Sequence, residues 1–155
     1  MNNLFSKKNI KFIAIILMIA IFFITDRYLK IIALSNYSEK SVYLFSDFLS
    51  FTFTPNYYIA FSLPFSGPIL NIIIGLMIIG IITYLIYRRQ DYNKLLLIAA
   101  LFILIGAISN FIDRIVCGYV IDYIYLEYFT VFNLADTYIS IGSILAIISL
   151  NKKPS

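Results

Sequence analysis

Apolar residues along this chain fall into four long blocks, not into the short periodic stripes of a soluble domain. The first runs from about Ile10 to Leu34 and the second from about Pro68 to Tyr87. The third spans about Leu95 to Ile112 and the fourth about Leu134 to Leu150. Each approaches the ~20 residues that a helix needs to cross hydrocarbon, so the pattern predicts four transmembrane helices. The first block opens like a signal peptide, with Lys7, Lys8 and Lys11 ahead of the apolar run. No small-x-small cleavage site follows it, and Asp26 leads straight into Arg27 and Lys30, so a retained anchor is expected.

The polar residues divide by side. Lys7, Lys8, Lys11, Arg88, Arg89, Lys94, Lys152 and Lys153 flank the blocks on one side, which the positive-inside rule makes the cytoplasm. Every acidic residue except Asp91 falls at the opposite ends or in the two outer segments. Both termini are therefore expected inside, in a multi-pass arrangement. The first outer segment, 41–66, is rich in Phe, Tyr and Thr and alternates at Phe51-Thr52-Phe53-Thr54, which predicts short strands forming a small cradle on the membrane surface. The second, 113–133, carries Tyr119, Tyr123, Tyr125, Tyr128, Phe129 and Phe132. It reads either as an aromatic interfacial belt or as part of a roof over a lipid-accessible site. The expected architecture is thus an integral membrane, mainly α protein: a four-helix bundle with an extracytoplasmic β-cradle and an aromatic surface segment.

Composition sharpens this. The chain has 155 residues, 61% of them hydrophobic and 13% charged, whereas a soluble domain carries about a quarter charged residues. Its length suits one membrane-embedded unit, residues 1–155. The net charge of +4 would suggest nucleic acid in a soluble protein, but here the basic residues sit in clusters between apolar blocks, so no nucleic-acid partner is expected. There is one cysteine, Cys117, and no histidine. That removes an intrachain disulfide, His-based triads, Cys/His pairs and HExxH zinc sites together. Cys117, with no histidine to activate it, reads as a buried small residue. Chemistry must come from carboxylates, lysine, hydroxyls or amides, with no metal or cofactor.

Ionisable residues inside spans cost about 2.5–3.5 kcal/mol each on insertion scales and need a reason to be there. Asp26 and Lys30 are i,i+4 on one helical face, in the order that favours an ion pair anchoring the outer end of the first helix. Asp113 and Arg114 follow Asn110 within one turn in SNFIDR, and Asn133 and Asp136 share a face in FNLAD. Asp122 lies between them in GYVIDY. These are either unrelated interfacial carboxylates or groups converging from two helix ends on one site. Spacing favours convergence. A proton-coupled transporter would instead place its carboxylate near mid-membrane, and an inert scaffold leaves FNLAD and GYVIDY unexplained. A Ser/Lys hydrolase using Lys30 with Ser62 or Ser109 is disfavoured, because a lysine paired with Asp26 is a poor base.

Together the motifs DRYLK (26–30), FTFTPNYYIAFS (51–62), GAISNFIDRIVCGYVIDY (106–123) and FNLADTYISIG (132–142) resemble the lipoprotein signal peptidases, or type II signal peptidases. The resemblance implies an aspartic endopeptidase of the bacterial cytoplasmic membrane with its active site on the outer face. Its substrates would be lipid-modified prolipoproteins, cut before the cysteine that bears diacylglycerol, with membrane lipid as surroundings and no obligate protein partner. Carried over by motif, Asp122 and Asp136 form the catalytic pair. Asn56, Asn110, Arg114 and Asn133 bind substrate or orient the pair, and Asp26, Lys30 and Asp113 support the site. The chain departs from the family pattern at Tyr58, where glycine is common, and in Ile105-Gly106-Ala107-Ile108-Ser109-Asn110, where G-G-A-x-G-N is common.

Overall fold

The computed structural model describes residues 7–37, 41–58, 66–87 and 93–151. Arg88, Arg89, Lys152, Lys153 and Ser62 lie outside the described residues, as do the side chains of Lys7, Lys8 and Lys11. The order of elements is α1 (Lys7–Asn36), β1 (Val42–Phe45), β2 (Leu49–Asn56), α2 (Pro68–Tyr87), α3 (Lys94–Val116), β3 (Val120–Leu126), β4 (Val131–Phe132) and α4 (Leu134–Asn151).

Local chemistry sets the helix ends. Pro68 opens α2 directly after Gly67, which sits at φ +88°. Asn93 caps α3 by accepting from the Leu95 amide at 3.0 Å, and its own side-chain amide donates to Ser149 Oγ at 2.9 Å near the end of α4. At the other end α3 stops at Cys117, followed by Gly118 at φ +81°, a left-handed position that favours glycine. The last four residues of α3, Asp113–Val116, were expected in the outer segment. The helix continues through Asp113 and Arg114 because both find buried partners there.

Helices α2, α3 and α4 are each long and apolar enough to cross a membrane. At about 1.5 Å per residue, the 30 residues of α1 reach about 45 Å. Its outward face, including Leu17, Ile21, Ile24 and Ile31, is exposed and apolar. The protein is mainly α-helical and membrane-embedded, with a small antiparallel sheet at one end of the helices.

α3 and α4 approach closely because glycine stands at their contact points. A Cβ built on Gly106 would meet the Ala135 carbonyl oxygen at 2.3 Å, and one on Gly142 would meet the Ala99 carbonyl oxygen at 2.7 Å. In hydrocarbon, where no hydrophobic effect drives helices together, such backbone approach supplies the packing. Gly106→Ala and Gly142→Ala are expected to push the helices apart and cost about 1–3 kcal/mol each. A lower melting temperature in detergent is the measurement.

The sheet has the order β1-β2-β3-β4, antiparallel throughout. The second outer segment thus supplies two strands, where the sequence suggested only an aromatic surface. β3 lies between β2 and β4, and its first four residues, Val120–Tyr123, are buried, so it lacks the alternation that marks a half-exposed strand. The sheet packs on the C-terminal end of α1, where Ala33, Ile121 and Tyr123 form its core. Phe51 packs on Tyr123 with the rings tilted, Tyr37 meets Phe51 edge-on, and Tyr119 packs against Phe53 and Tyr57. These rings are internal packing, not a belt. Tyr128 and Phe129, at 93% and 66% exposure, keep the belt character. Cys117 is half-buried against this core, not buried as the sequence reading expected.

Candidate active site

The site rests on a buried ionic frame in the C-terminal parts of α1 and α3. Lys30 Nζ lies 3.2 Å from Asp26 Oδ2 and 2.7 Å from Asp113 Oδ2, with all three side chains inaccessible. Arg27 pairs with the other oxygen of Asp113. Asp26 also accepts from Ser109 Oγ (2.5 Å), the Tyr123 hydroxyl (2.9 Å) and the Ala135 amide (3.1 Å). One carboxylate thereby ties α1 to α3, β3 and the start of α4. Asp113 Oδ2 accepts the Ile121 amide at 3.2 Å, which fixes the beginning of β3. Buried charges of this kind are tolerable only when each lone pair and proton is used.

Asp122 and Asp136 sit above this frame, held by asparagines. Asp136 is in the first turn of α4 and exchanges bonds with the residue preceding the helix: its amide donates to Asn133 Oδ1 at 2.9 Å, and its Oδ2 accepts the Asn133 amide at 3.3 Å. This reciprocal cap is what N-x-x-D encodes, and it sets the carboxylate at the positive end of the helix. Its Oδ1 accepts from Asn110 Nδ2 at 2.8 Å. Asp122, on β3, accepts from Asn56 Nδ2 at 2.9 Å on one oxygen and from Asn133 Nδ2 at 2.7 Å on the other. Asn133 Nδ2 also reaches Asn110 Oδ1 at 3.2 Å, so a chain of amides links the two carboxylates. Lys30 Nζ donates to the same Asn110 oxygen at 2.7 Å, which leaves the Asn110 NH₂ group facing Asp136.

Every residue singled out in the sequence therefore belongs to one connected network, except that Arg114 reaches it indirectly. Its guanidinium donates to the Tyr58 carbonyl at 2.5 Å and to the Tyr57 carbonyl at 3.5 Å, holding the chain where it leaves β2. Three contributors were not read as such. Arg27, Ser109 and Tyr123 complete the frame, yet the sequence offered them only as a neighbour, as a departure from glycine and disfavoured nucleophile, and as an aromatic. Ser109 has its own task here: its hydroxyl donates to Asp26. Among the described residues Lys30 bonds to three acceptors, none of them a serine hydroxyl, so no Ser109–Lys30 pair is formed, and Ser62 lies outside the described residues.

Asp122 and Asp136 face a common cavity of about 470 Å³. Its walls are α2 (Ile74, Met77, Ile78), α3, α4 and the turn Phe129–Phe132, with Asn56, Tyr58, Asn110 and Arg114 around the carboxylates. The cavity is apolar away from this polar corner. Burial, and then the charge of nearby Asp136, push the Asp122 carboxyl up to about 7, while the amides of Asn56 and Asn133 pull against that rise. Among the described residues no cluster suited to a metal ion occurs.

Helices long and apolar enough to cross a membrane, a sheet capping one end and two carboxylates on one sheltered cavity are features of a membrane-embedded enzyme. The profile of the family described as signal peptidase (SPase) II matches residues 18–152. The chain is 33% identical over 144 residues to a lipoprotein signal peptidase of Clostridium tetani, covering 89% of this chain and 92% of that protein. It is 33% identical over 150 residues to one from Streptococcus pyogenes serotype M5, covering 95% and 96%. Among solved structures, a bacterial membrane enzyme determined by the in meso method at 2.3 Å resolution superposes with a TM-score of 0.75 at 31% identity, covering 90% of this chain and 92% of that one. The chain belongs to the signal peptidase II family and is a protease. Nothing in the comparisons favours the transport reading.

Proposed function

We propose that the protein is an aspartic endopeptidase that removes the signal peptide from diacylglyceryl-modified prolipoproteins, cutting before the lipidated cysteine. Asp122 and Asp136 are the catalytic pair. The observation that carries this reading is their shared cavity, mainly apolar away from the corner where Asn56, Asn110, Arg114 and the two carboxylates meet. Two adjoining carboxyls cannot both ionise cheaply, so the pair holds one proton. The ionised member takes a proton from water as the water oxygen bonds to the scissile carbonyl carbon, and the protonated member donates to the carbonyl oxygen. The hydroxyl formed on the carbonyl carbon then returns its proton to the carboxylate that gave it as the C=O bond re-forms and the C–N bond breaks. The leaving nitrogen takes up the proton that the other carboxyl drew from water, which restores the singly protonated pair. Asn56, Asn110 and Asn133 orient the carboxyls. Arg114 holds the Tyr57–Tyr58 backbone at the edge of the cavity and offers a fixed positive charge to the substrate chain.

The direct test is incubation of the purified protein in detergent with a lipid-modified prolipoprotein, followed by detection of the released signal peptide. Lipid matters to the outcome. Each buried methylene contributes about 0.8 kcal/mol, so the unmodified precursor is expected to be cut far more slowly than the lipidated one. Equal rates for the two would contradict the substrate class.

Activity should also fall on the alkaline side as the last proton leaves the pair, with the Asp122 value of about 7 setting that limb in the free enzyme. Asn56→Ala removes a bond that favours the ionised carboxylate, so the proton is held more tightly and the alkaline limb moves to higher pH. The pH profile of kcat/KM checks both statements; a downward shift in Asn56→Ala would contradict the second.

The enzyme is proposed to lie in the bacterial cytoplasmic membrane with both termini inside and the carboxylates near the outer face. In a Cys117→Ser background, cysteines introduced at Ser38 and Gln90 should then be labelled by an impermeant reagent from opposite sides. Labelling of both from one side would reverse this orientation.

A further inference from the structure

We infer that a second, apolar slot between the halves of α2, α3 and α4 remote from the sheet seats one acyl chain of the substrate. This rests on the substrate class proposed above and adds where its lipid goes. The slot has a volume of about 390 Å³ and is bordered by Gly80 on α2, Ala100 on α3 and Ala146 on α4. It adjoins the carboxylate cavity, with Met77, Ile81 and Ile103 lining both. Small residues create the space: a Cβ placed on Gly80 would meet nothing within 4 Å.

Size and depth select the occupant. A helix about 10 Å wide rising 1.5 Å per residue fills roughly 120 Å³ per residue, so the slot would hold about three residues, less than one turn of a signal-peptide helix. A single flexible alkyl chain has no such width. Ten residues separate Asn110, beside Asp136, from Ala100 in the slot, which is about 15 Å along α3. That matches half of the ~30 Å hydrocarbon core, the reach of one acyl chain from the outer surface to the bilayer centre. A diacylglyceryl group whose cysteine lies at the carboxylates can therefore run one tail down this slot without leaving its own leaflet.

Two measurements on the intact protein test this. The chain has no tryptophan, so Tyr84→Trp places a single fluorophore on the wall of the slot. A diacylglyceryl-cysteine peptide brominated near the chain ends should quench it saturably, with reversal by the unbrominated lipopeptide and weaker quenching by brominated phospholipid at equal mole fraction. Equal quenching by the phospholipid means that bulk lipid fills the slot and overturns the inference. The second variant, Gly80→Leu, fills the slot from a position where the new side chain has room. Each methylene excluded should cost about fourfold, so cleavage of long-chain relative to short-chain lipopeptide should drop tenfold or more. An unchanged ratio overturns the inference. If the wild-type protein cuts no lipidated precursor at all, the proposed activity fails instead, and the quenching experiment still decides what the slot holds.

Discussion

A folded, membrane-inserted Asp136→Asn protein is expected to cleave no detectable substrate, and Asp122→Asn is expected to match it. Asparagine keeps the volume of aspartate but neither takes a proton from water nor delivers one to a leaving nitrogen. General acid–base assistance is worth about 10²–10⁴-fold per group. Because the pair acts as a unit, the double variant should be scarcely worse than either single one. The hydrogen bonds around the pair also fix the cost to stability. Both oxygens of Asp136 accept from amides, Asn110 Nδ2 on one and the Asn133 backbone on the other. Both oxygens of Asp122 likewise accept, from Asn133 and Asn56. A carboxamide has only one oxygen, so one donor at each site loses its acceptor, at about 1–3 kcal/mol. Asn110 cannot turn to compensate, since its oxygen already accepts from Lys30 and Asn133. Each single variant should thus melt somewhat lower than wild type yet remain folded, with loss of turnover far exceeding loss of stability. Substantial cleavage by folded Asp136→Asn would sink the aspartic mechanism.

The sequence disclosed the site more fully than the sheet that positions part of it. Helical blocks reveal themselves by length and apolarity, and the expected bounds of α2 and α4 lie within a residue of the observed ones. The polar residues of the site were legible because hydrocarbon makes every ionisable group conspicuous, and because i,i+3 and i,i+4 spacings put partners on one helical face. β3 was not legible. A strand buried among a helix and two neighbouring strands shows no alternation, and its tyrosines resemble an interfacial belt until their partners are known. Ser109 and Tyr123 were hidden for a related reason. Their hydroxyls matter only through contact with Asp26, 83 and 97 positions away, and no local spacing encodes that meeting.

The frame beneath the pair leads to the second large effect, the response to Lys30→Met. Methionine follows the lysine stem closely but carries no charge and no donor. Its introduction would leave Asp26 and Asp113 buried without the ammonium that lies 3.2 Å and 2.7 Å from their oxygens. Asp26 would keep Ser109, Tyr123 and the Ala135 amide, and Asp113 would keep Arg27 and the Ile121 amide. Arg27 still offsets the charge of Asp113, but hydrogen bonds alone do not offset that of Asp26, and breaking a buried pair by removing one partner typically costs about 3–5 kcal/mol. The expected result is a large fall in melting temperature and in the yield of folded protein. Activity per folded molecule should fall as well, because the Asn110 amide loses the donor that keeps its NH₂ group directed at Asp136. Adding Asp26→Asn removes the carboxylate left without a cation, so Lys30→Met/Asp26→Asn should recover part of the lost stability while cleavage stays low. That partial recovery separates electrostatic support from chemistry. If Lys30→Met instead melted like wild type and yet cut nothing, the lysine would belong to the reacting groups, and the pair of carboxylates would no longer account for catalysis alone.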